Sequence, residues 1–341
     1  MKKILVIAPS WIGDAVMSQP LISKIKEAPI SCEIDILASS WVQPIYRKIP
    51  QVSKVLLNPY LHGQLKLRSR LQFATSIKNN RYDECYVLPN SFKSALIPFF
   101  AKIPIRIGYI GEFRYPLLTH CRRLNKTNTP KLVDQYFQLF NYKSENKTGK
   151  LNNPRLAVSK KSKSDIQNQF IKLQKEKIAC LCPGAEFGPA KMWPYQKYSE
   201  LAKQLGFKGY EVFVIGSKRD ALIGEKIHFL SNKIATNLCG KTSLDDAIAL
   251  LSISDLVVSN DSGLMHVAAA LNRPLVAIYG SSSPDFTPPL TDNAITARLE
   301  LPCSPCFQRT CPLKHMECLA GLSVDHIYGL VCRQEVNSGT K

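Results

Sequence analysis

The stretch from Asp255 to Ala270, DLVVSNDSGLMHVAAA, decides the fold of this chain. It begins with a short apolar run, 256–258, which is typical of a buried parallel strand. Residues of helix-capping type occupy 259–262, and from Leu264 the apolar side chains recur at helical spacing. A strand that leads into a capped helix predicts a parallel α/β sheet.

The N-terminus of this helix predicts an anion site. Its first backbone N–H groups have no partner within the helix and lie at the positive end of the helix dipole. The next strand, over 275–279, ends in the loop 280–284, and ligands of open α/β sheets bind at such carboxyl ends. We therefore expect a phosphate group near Ser262 and Gly263. The alternative is an ordinary strand–loop–helix with an unused cap.

The same alternation of strands and helices runs through both halves of the chain, which predicts two doubly wound parallel sheets with a cleft between them. The polar, basic stretch 141–164 is the candidate linker, and the first helix is expected from about Ala15 through Lys26. The predicted strands cover 3–9, 34–37, 52–57, 82–88 and 105–109 in the first half, and 178–182, 211–215, 256–258 and 275–279 in the second.

Length and composition are those of a globular protein. The chain has 341 residues, of which 45% are hydrophobic and 21% charged, enough for two ordinary domains with proper cores. No apolar run approaches the roughly 18 residues of a membrane span. The N-terminal apolar run is short and leads into polar Ser10, which indicates a strand and not a signal peptide. The 11 cysteines are odd in number and scattered, so we expect a reducing, cytoplasmic environment.

The charge balance favours anionic partners. The chain carries 45 Lys and Arg against 26 Asp and Glu, a formal net charge of +19. Such a balance suits nucleic acid, anionic lipid headgroups or polyphosphorylated substrates. Between Phe92 and Arg123, aromatic and apolar residues are mixed with arginines and almost no acid, which predicts a surface that touches anionic lipid. A buried strand and helix with basic edges is the alternative.

Two residues just after the first strand are candidates for chemistry at its carboxyl end. Gly13 lets the backbone approach a ligand closely, and the Asp14 carboxylate could act as a general base. The alternative for Asp14 is a cap on the first helix, since it precedes Ala15. The chain shows no G-x-G-x-x-G fingerprint, which argues against a nucleotide-dependent oxidoreductase.

The second half offers further candidates at its strand ends. In the loop 183–194, Gly184 and Lys191 could meet a diphosphate, although a rigid loop with a solvated lysine has the same composition. Gly216 ends another strand at the same edge of the sheet. His266 lies four residues beyond the predicted helix cap, where it either reaches the same anion or has a structural role.

Four cysteines are clustered near the C-terminus with the spacing Cys-x2-Cys-x4-Cys-x6-Cys: Cys303, Cys306, Cys311 and Cys318. Four thiolates could bind zinc or an iron–sulfur cluster. The spacing does not match the paired knuckles of zinc ribbons, and prolines stiffen the segment. The sequence favours four reduced thiols in a structured loop, with a bound metal as the alternative.

Three separated motifs resemble one known family. They are SWIGDAV from Ser10, PGAEFGPAKMWP from Pro183 and SNDSGLMHVAAALNRPLVAIYGSSSPDFTPPL from Ser259. Together they are similar to the ADP-heptose:lipopolysaccharide heptosyltransferases of glycosyltransferase family 9, most closely to those that add heptose to the first heptose of the inner core. The resemblance covers nearly the whole chain, and Met192 departs from a position that is basic in many relatives.

The resemblance implies the GT-B fold, with two Rossmann-like α/β domains that face each other across a cleft. The implied domains are an acceptor-binding domain over 1–155, an ADP-heptose-binding domain over 156–322, and a C-terminal helix over 323–341 that packs back on the first domain. The implied reaction is an inverting, metal-independent transfer of L-glycero-D-manno-heptose from ADP-heptose to heptosyl-Kdo2-lipid A, without a cofactor. The implied location is peripheral, on the cytoplasmic face of the inner membrane.

Carried over residue by residue, the resemblance implies that Asp14 deprotonates the acceptor hydroxyl. Lys191, the amides of 262–264 and His266 would hold the diphosphate and stabilise it as it leaves. Asp261 would contact the donor sugar or order its loop. The full predicted donor site is Gly13, Gly184, Lys191, Gly216, Asp261, Ser262, Gly263, Leu264 and His266.

Two further alternatives stay open at this point. A basic, cysteine-clustered nucleic-acid-binding protein would show stoichiometric metal and salt-dependent binding, but it leaves the glycine loops at the strand ends unexplained. A first or later core heptosyltransferase would differ from the favoured function only in its acceptor. We expect no nucleic-acid partner.

Overall fold

The computed structural model describes residues 1–61, 63–125, 127, 129–141, 151–171 and 177–339. The chain forms two compact units, Met1–Asn153 and Pro154–Lys341. The predicted domain boundary lies between residues 155 and 156. The part of the predicted linker over 142–150 lies outside the described residues.

The described part of the first unit contains β1 (Lys2–Ile7), β2 (Cys32–Ala38), β3 (Lys54–Leu57), β4 (Glu84–Val87), β5 (Ile105–Tyr109) and β6 (His120–Arg122). Its helices are α1 (Ile12–Met17), α2 (Gln19–Lys26), α3 (Gln43–Arg47), α4 (Leu67–Lys78), α5 (Phe92–Phe100) and α6 (Leu132–Gln138). All strands are parallel, in the order β3-β2-β1-β4-β5-β6.

The described part of the second unit contains β7 (Lys177–Cys182), β8 (Tyr210–Val214), β9 (Ala235–Asn237), β10 (Leu256–Asn260), β11 (Leu275–Ile278) and β12 (Ala294–Ala297). Its helices are α7 (Lys160–Phe170), α8 (Tyr195–Phe207), α9 (Ala221–Leu230), α10 (Leu244–Ile253), α11 (Gly263–Ala270), α12 (Glu317–Ala320) and α13 (Val324–Gly339). These strands are also parallel, in the order β12-β11-β10-β7-β8-β9.

Both sheets have the strand order of a Rossmann fold, 3-2-1-4-5-6, when each unit is numbered from its own first strand. Continuous apolar runs fill the central strands, and β10 is buried along its whole length. The order reverses between β1 and β4 in the first unit and between β7 and β10 in the second. A ligand of such a sheet binds at this switch point, beyond the carboxyl ends of the two strands. The predicted pair of parallel α/β domains is confirmed.

The first helix differs from its predicted span. Instead of one helix over 15–26, α1 ends at Met17 and α2 begins at Gln19, with Ser18 between them. Pro20 occupies the first turn of α2. Because proline has no N–H group to donate to the preceding turn, it cannot continue α1 and starts a new helix instead.

The sequence patterns miss three of the four edge strands. The edge strands β6, β9 and β12 have 3, 3 and 4 residues, too few for an apolar or alternating run to stand out. Helix α7 begins within the predicted linker. It is polar, with Ile166 as its buried side chain, so its sequence resembles that of a linker.

The C-terminal helix α13 belongs to the second unit. Its buried side chains Ile327 and Val331 join the core that also contains Trp193 and Tyr198. The helix contacts α8, β11 and β12. Its apolar face thus covers the second sheet, which would otherwise expose that core to water. The packing of this helix back on the first domain stays a prediction.

Along the described residues, every helix falls short of the length and hydropathy that are needed to cross a bilayer.

Candidate active site

A buried asparagine joins the two loops at the switch point of the second sheet. Asn260 ends β10, and its side-chain Nδ2 donates to the Pro183 carbonyl at 2.6 Å. Its Oδ1 accepts from the Trp193 backbone N–H at 3.1 Å and from the Tyr198 hydroxyl at 3.0 Å. Because both polar atoms of this buried side chain are satisfied, the loop that follows β7 is held firmly against the end of β10.

An ion pair occupies the position next to Asn260. The Lys191 ammonium lies 2.5 Å from Oδ2 of Asp261, whose side chain is only 3% exposed. The Ser282 hydroxyl donates to the same oxygen at 2.5 Å. Loops that follow β7, β10 and β11 thus contribute to one charged cluster. The structure brings Lys191 and Asp261 into direct contact, and their role in donor binding stays a prediction.

His266 is buried behind this ion pair. Its Nε2 lies 3.9 Å from Oδ1 of Asp261. Burial lowers the pKa of His266 to about 4; the Asp261 carboxylate opposes this shift and the Lys191 charge adds to it. The imidazole is therefore neutral at neutral pH. In the absence of a ligand, His266 therefore adds no positive charge to the cluster.

The N-terminus of α11 opens onto the same cluster. Helix α11 begins at Gly263, and Ser262 is its N-cap with an extended backbone. The Ser262 side chain makes no capping hydrogen bond, so the first backbone N–H groups of the helix stay available to a ligand. A lysine beside uncapped amides at the positive end of a helix dipole makes an anion site.

An aromatic ring orders the lysine. The Phe187 ring lies between two cations, with Lys191 Nζ 5.0 Å and Arg309 Cζ 5.2 Å from its centre. Cation–π contacts of this kind restrain the long stem of a lysine. Arg309 comes from the cysteine-rich segment, so that segment borders the predicted donor site.

Two predicted donor-binding glycines have a packing role in the structure. A Cβ on Gly184 would lie 2.4 Å from Asp220 Cγ, and one on Gly216 would lie 2.9 Å from Asp220 Oδ2. Asp220 accepts from the Ser217 N–H at 2.8 Å and shapes the turn after β8. Both glycines are therefore needed to admit Asp220, and their contact with a donor stays a prediction.

The first unit places Gly13 and Asp14 at its own switch point. Asp14 lies in the first turn of α1, where Trp11 is the N-cap, so the alternative interpretation of Asp14 as the cap is wrong. The buried Tyr136 of α6 hydrogen-bonds to Asp14; burial first, and then this carboxylate, raise the pKa of the Tyr136 phenol. Asp14 also lies near the buried Tyr46 of α3. A phenol that donates to a carboxylate fixes its orientation and stabilises its ionised form.

The segment 92–123 exposes several large apolar side chains, and its contact with lipid stays a prediction. Those exposed are Phe92, Phe99, Ile110, Phe113 and Tyr115, and Phe113 is 86% exposed. Arg114 is not part of this surface. Its guanidinium is fully buried and donates to the Tyr109 carbonyl at 2.8 Å, and burial lowers its pKa to about 10.

Sequence reasoning misses three residues of these sites. In the sequence, Ser282 stands only in a Gly- and Ser-rich loop at a strand end, and Asn260 is one of several adjacent residues of capping type. Tyr136 carries no signal at all, because its approach to Asp14 depends on α6 packing against α1.

Two Rossmann-type domains, one with a lysine and an uncapped helix N-terminus at its switch point and one with a carboxylate after its first strand, have the architecture of a GT-B glycosyltransferase. The sequence profile of "Glycosyltransferase family 9 (heptosyltransferase)" matches residues 70–317. The chain belongs to this family.

Relatives and solved structures narrow the assignment. Lipopolysaccharide heptosyltransferase 2 of Escherichia coli K12 is 47% identical over 306 residues, 87% of this chain and 88% of that one. Lipooligosaccharide heptosyltransferase 2 of Haemophilus influenzae is 42% identical, again over 87% of this chain and 88% of that one. The structure of E. coli ADP-heptose LPS heptosyltransferase II matches with a TM-score of 0.88 and 39% identity, covering 99% of this chain and 100% of that one.

A more distant structure has the same fold. The family 9 glycosyltransferase of Veillonella parvula matches with a TM-score of 0.83 at 19% identity, covering 98% of this chain and 97% of that one. The predicted GT-B fold and family are confirmed, and the protein is a glycosyltransferase with the function of a heptosyltransferase 2.

Proposed function

We propose that the protein transfers L-glycero-D-manno-heptose from ADP-heptose to the first heptose of the lipopolysaccharide inner core, with inversion at the anomeric carbon. The observation that carries the proposal is the position of the Lys191 ammonium, beside the uncapped N-terminus of α11 at the switch point of the second sheet. This arrangement suits the diphosphate of a sugar nucleotide.

The donor diphosphate binds in the second unit. Lys191 supplies a mobile positive charge, and the amides at Gly263 and Leu264 supply fixed donors. Asp261 holds the lysine before the donor arrives, and neutral His266 supports Asp261 from behind. As the bond between the anomeric carbon and the diphosphate breaks, the same groups stabilise the negative charge that develops on ADP.

Asp14 acts as the general base in the first unit. The acceptor hydroxyl loses its proton to the Asp14 carboxylate while its oxygen forms the new bond to the anomeric carbon, and ADP leaves from the opposite face. One displacement of this kind inverts the configuration. The hydroxyl of Tyr136 orients the carboxylate for this proton transfer.

The transfer needs no metal ion. A divalent cation would serve to neutralise the leaving diphosphate, and here a lysine and a helix N-terminus are already placed to do so. The net charge of +19 adds a favourable long-range field for an anionic donor and a phosphorylated acceptor.

The protein works at the cytoplasmic face of the inner membrane. Its acceptor is anchored by lipid A, and the exposed Phe99, Phe113 and Tyr115 lie in the same segment as exposed Lys102 and Arg123. Aromatic side chains beside cations favour the interface of an anionic bilayer.

The acceptor is tested by measuring ADP release from ADP-heptose in EDTA, with Kdo2-lipid A and heptosyl-Kdo2-lipid A offered separately. We expect turnover on the heptosylated acceptor alone, unaffected by EDTA and lost in Asp14→Asn. Turnover on Kdo2-lipid A alone would reassign the protein as a first heptosyltransferase. No ADP from either acceptor with folded protein would refute the transferase function.

Membrane contact is tested by co-sedimentation with vesicles that contain anionic lipid. We expect Phe113→Ser to reduce the bound fraction several-fold, since the side chain is 86% exposed. Phe207→Ser is the matched control, because Phe207 is 84% exposed and lies in the second unit. Equal losses for both variants would contradict a specific membrane surface.

A further inference from the structure

The cysteine-rich segment encloses a cavity that the proposed reaction does not use. The cavity has a volume of about 20 Å³. Its walls include four thiols, which we name the cysteine cluster: Cys303, Cys306, Cys311 and Cys318. We propose that the cysteine cluster binds one zinc ion with a structural role.

The four cysteines line the same cavity. Cys318 lies close enough to each of the other three for their charges to interact. Four thiolates without a cation would repel one another, whereas a divalent cation would bind all four and offset their repulsion. A segment that gathers four of the 11 cysteines around one cavity is therefore built for a cation.

Backbone amides support a thiolate at one corner of the cavity. The N–H groups of residues 313–316 are directed at the Cys311 sulfur. Metal-bound thiolates commonly accept such hydrogen bonds from the turn that follows the ligand, and these second contacts orient the sulfur. These amides thus hold the Cys311 sulfur in the way that a metal ligand is held. Cys311 has no role in the proposed reaction.

The size of the cavity favours a single ion. A volume of about 20 Å³ has room for a single small ion. In a tetrahedral site with Zn–S bonds of about 2.3 Å, the sulfurs lie about 3.8 Å apart, which is close to ordinary contact between thiols. Among the described residues, no three side chains of ligand type already surround a common point, so ion binding has to turn the thiols inward.

His315 also lines the cavity, but it is not a ligand. Its Nδ1 accepts the Glu317 backbone N–H at 2.9 Å. A neutral imidazole that accepts at Nδ1 carries its proton on Nε2 and has no lone pair left for a metal. The ligand set is therefore four cysteines, which is a common structural zinc site.

The zinc site would brace the donor site from outside. Ala190 and Ser281 form part of the cavity wall, and they adjoin Lys191 and Ser282. The Ala190 N–H donates to the Arg309 carbonyl at 3.1 Å, and the Phe307 N–H donates to the Ser281 carbonyl at 2.6 Å. The ion closes the cysteine-rich segment on itself, and the segment then holds both loops in place. A structural zinc ion of this kind takes no part in catalysis, so it is compatible with a transfer reaction that needs no metal.

The proposal is tested by metal analysis of the purified full chain after growth with zinc. We expect about one zinc per chain, and at least a tenfold lower content in Cys306→Ser and in Cys311→Ser. Cys121→Ser is the matched control, since Cys121 is an exposed thiol in the first unit, and it should retain the full content. Cobalt substitution of the wild-type protein should show the absorption of a tetrahedral tetrathiolate site.

Zinc release from the wild-type protein provides a measurement that does not depend on the variants folding. A mercurial thiol reagent should release about one zinc per chain as the cysteine cluster reacts, and the melting temperature should fall. Stoichiometric iron, zinc below about a tenth per chain after reconstitution, or full zinc in Cys306→Ser would each overturn the proposal. These readouts are independent of heptosyl transfer, so a failed transferase assay leaves them unchanged.

Discussion

The switch points of the two sheets have the same strand order and opposite chemistry. In the first unit, the site after β1 contains a carboxylate, Asp14, with phenols around it. In the second unit, the site after β7 contains a lysine beside an uncapped helix. The sheet thus supplies a position, and the residues of the loops determine its charge. We propose that the first position accepts a proton and that the second holds an anion.

Removal of the base should have the largest effect. We expect Asp14→Asn to lower kcat by about 10²- to 10⁴-fold, because the amide cannot accept the hydroxyl proton. ADP binding, measured by calorimetry, should be unchanged, since the donor binds in the second unit. A loss of ADP affinity as large as the loss of kcat would contradict the assignment of the base to the first switch point and of donor binding to the second.

Lys191→Ala should have the next largest effect on activity and, unlike Asp14→Asn, should also weaken ADP binding. We expect kcat/KM to fall by about 10²- to 10³-fold, together with weaker ADP binding, because the variant loses the charge that meets the diphosphate. Lys203→Ala is the matched control, since Lys203 pairs with Glu200 on the exposed face of α8. If Lys203→Ala weakened ADP binding equally, the effect would reflect net charge and not the site.

Tyr136→Phe should reduce activity less than either Asp14→Asn or Lys191→Ala, and it tests the surroundings of Asp14 in the first unit. The variant removes the hydroxyl that orients Asp14, so we expect kcat to fall about tenfold, as for a lost hydrogen bond to a charged group, with an unchanged KM for ADP-heptose. Tyr109→Phe is the control, because its hydroxyl donates at 2.6 Å to the Gln135 carbonyl next to Tyr136. A larger loss of activity in the control would show that the effect comes from the packing of α6.

His266 should affect stability in mildly acidic solution. Burial lowers its pKa to about 4, so between about pH 6.5 and pH 4 the unfolded chain binds a proton that the folded protein does not, and stability falls as pH falls. From pH 7 to 5.5 the wild type should lose about 1 kcal/mol more than His266→Gln, seen as a melting-temperature difference of about 2–4 °C. His326→Gln is the control, because His326 is exposed, and it should lose as much stability with falling pH as the wild type. The same loss in His266→Gln would contradict the role of His266.

The sequence was informative where function and fold use the same local pattern. The run from Leu256 to Gly263 predicts a strand, a loop and a helix from residues that are adjacent in the chain, and the structure has all three. Anion binding at this helix stays a prediction. Lys191 was found in the same way, since it follows a strand within a Gly- and Pro-rich loop.

What the sequence could not show depends on packing between distant segments. Tyr136 reaches Asp14 only because α6 lies against α1, and α13 covers the second sheet through Ile327 and Val331. The role of Gly184 was also hidden, because its close neighbour, Asp220, belongs to another loop. Periodicity and motif spacing report on neighbours along the chain and contain no information on such pairs.

The contact between Lys191 and Asp261 has a consequence for turnover. Since the lysine already has a carboxylate partner at 2.5 Å, a diphosphate gains only the difference between two ion pairs when it binds, and not the full attraction of a free cation. The same carboxylate can take the lysine back once the sugar has been transferred. In the proposed reaction, Asp261 would thereby limit product affinity and shorten the residence time of ADP, so that a site for a charged leaving group would not stay blocked by it.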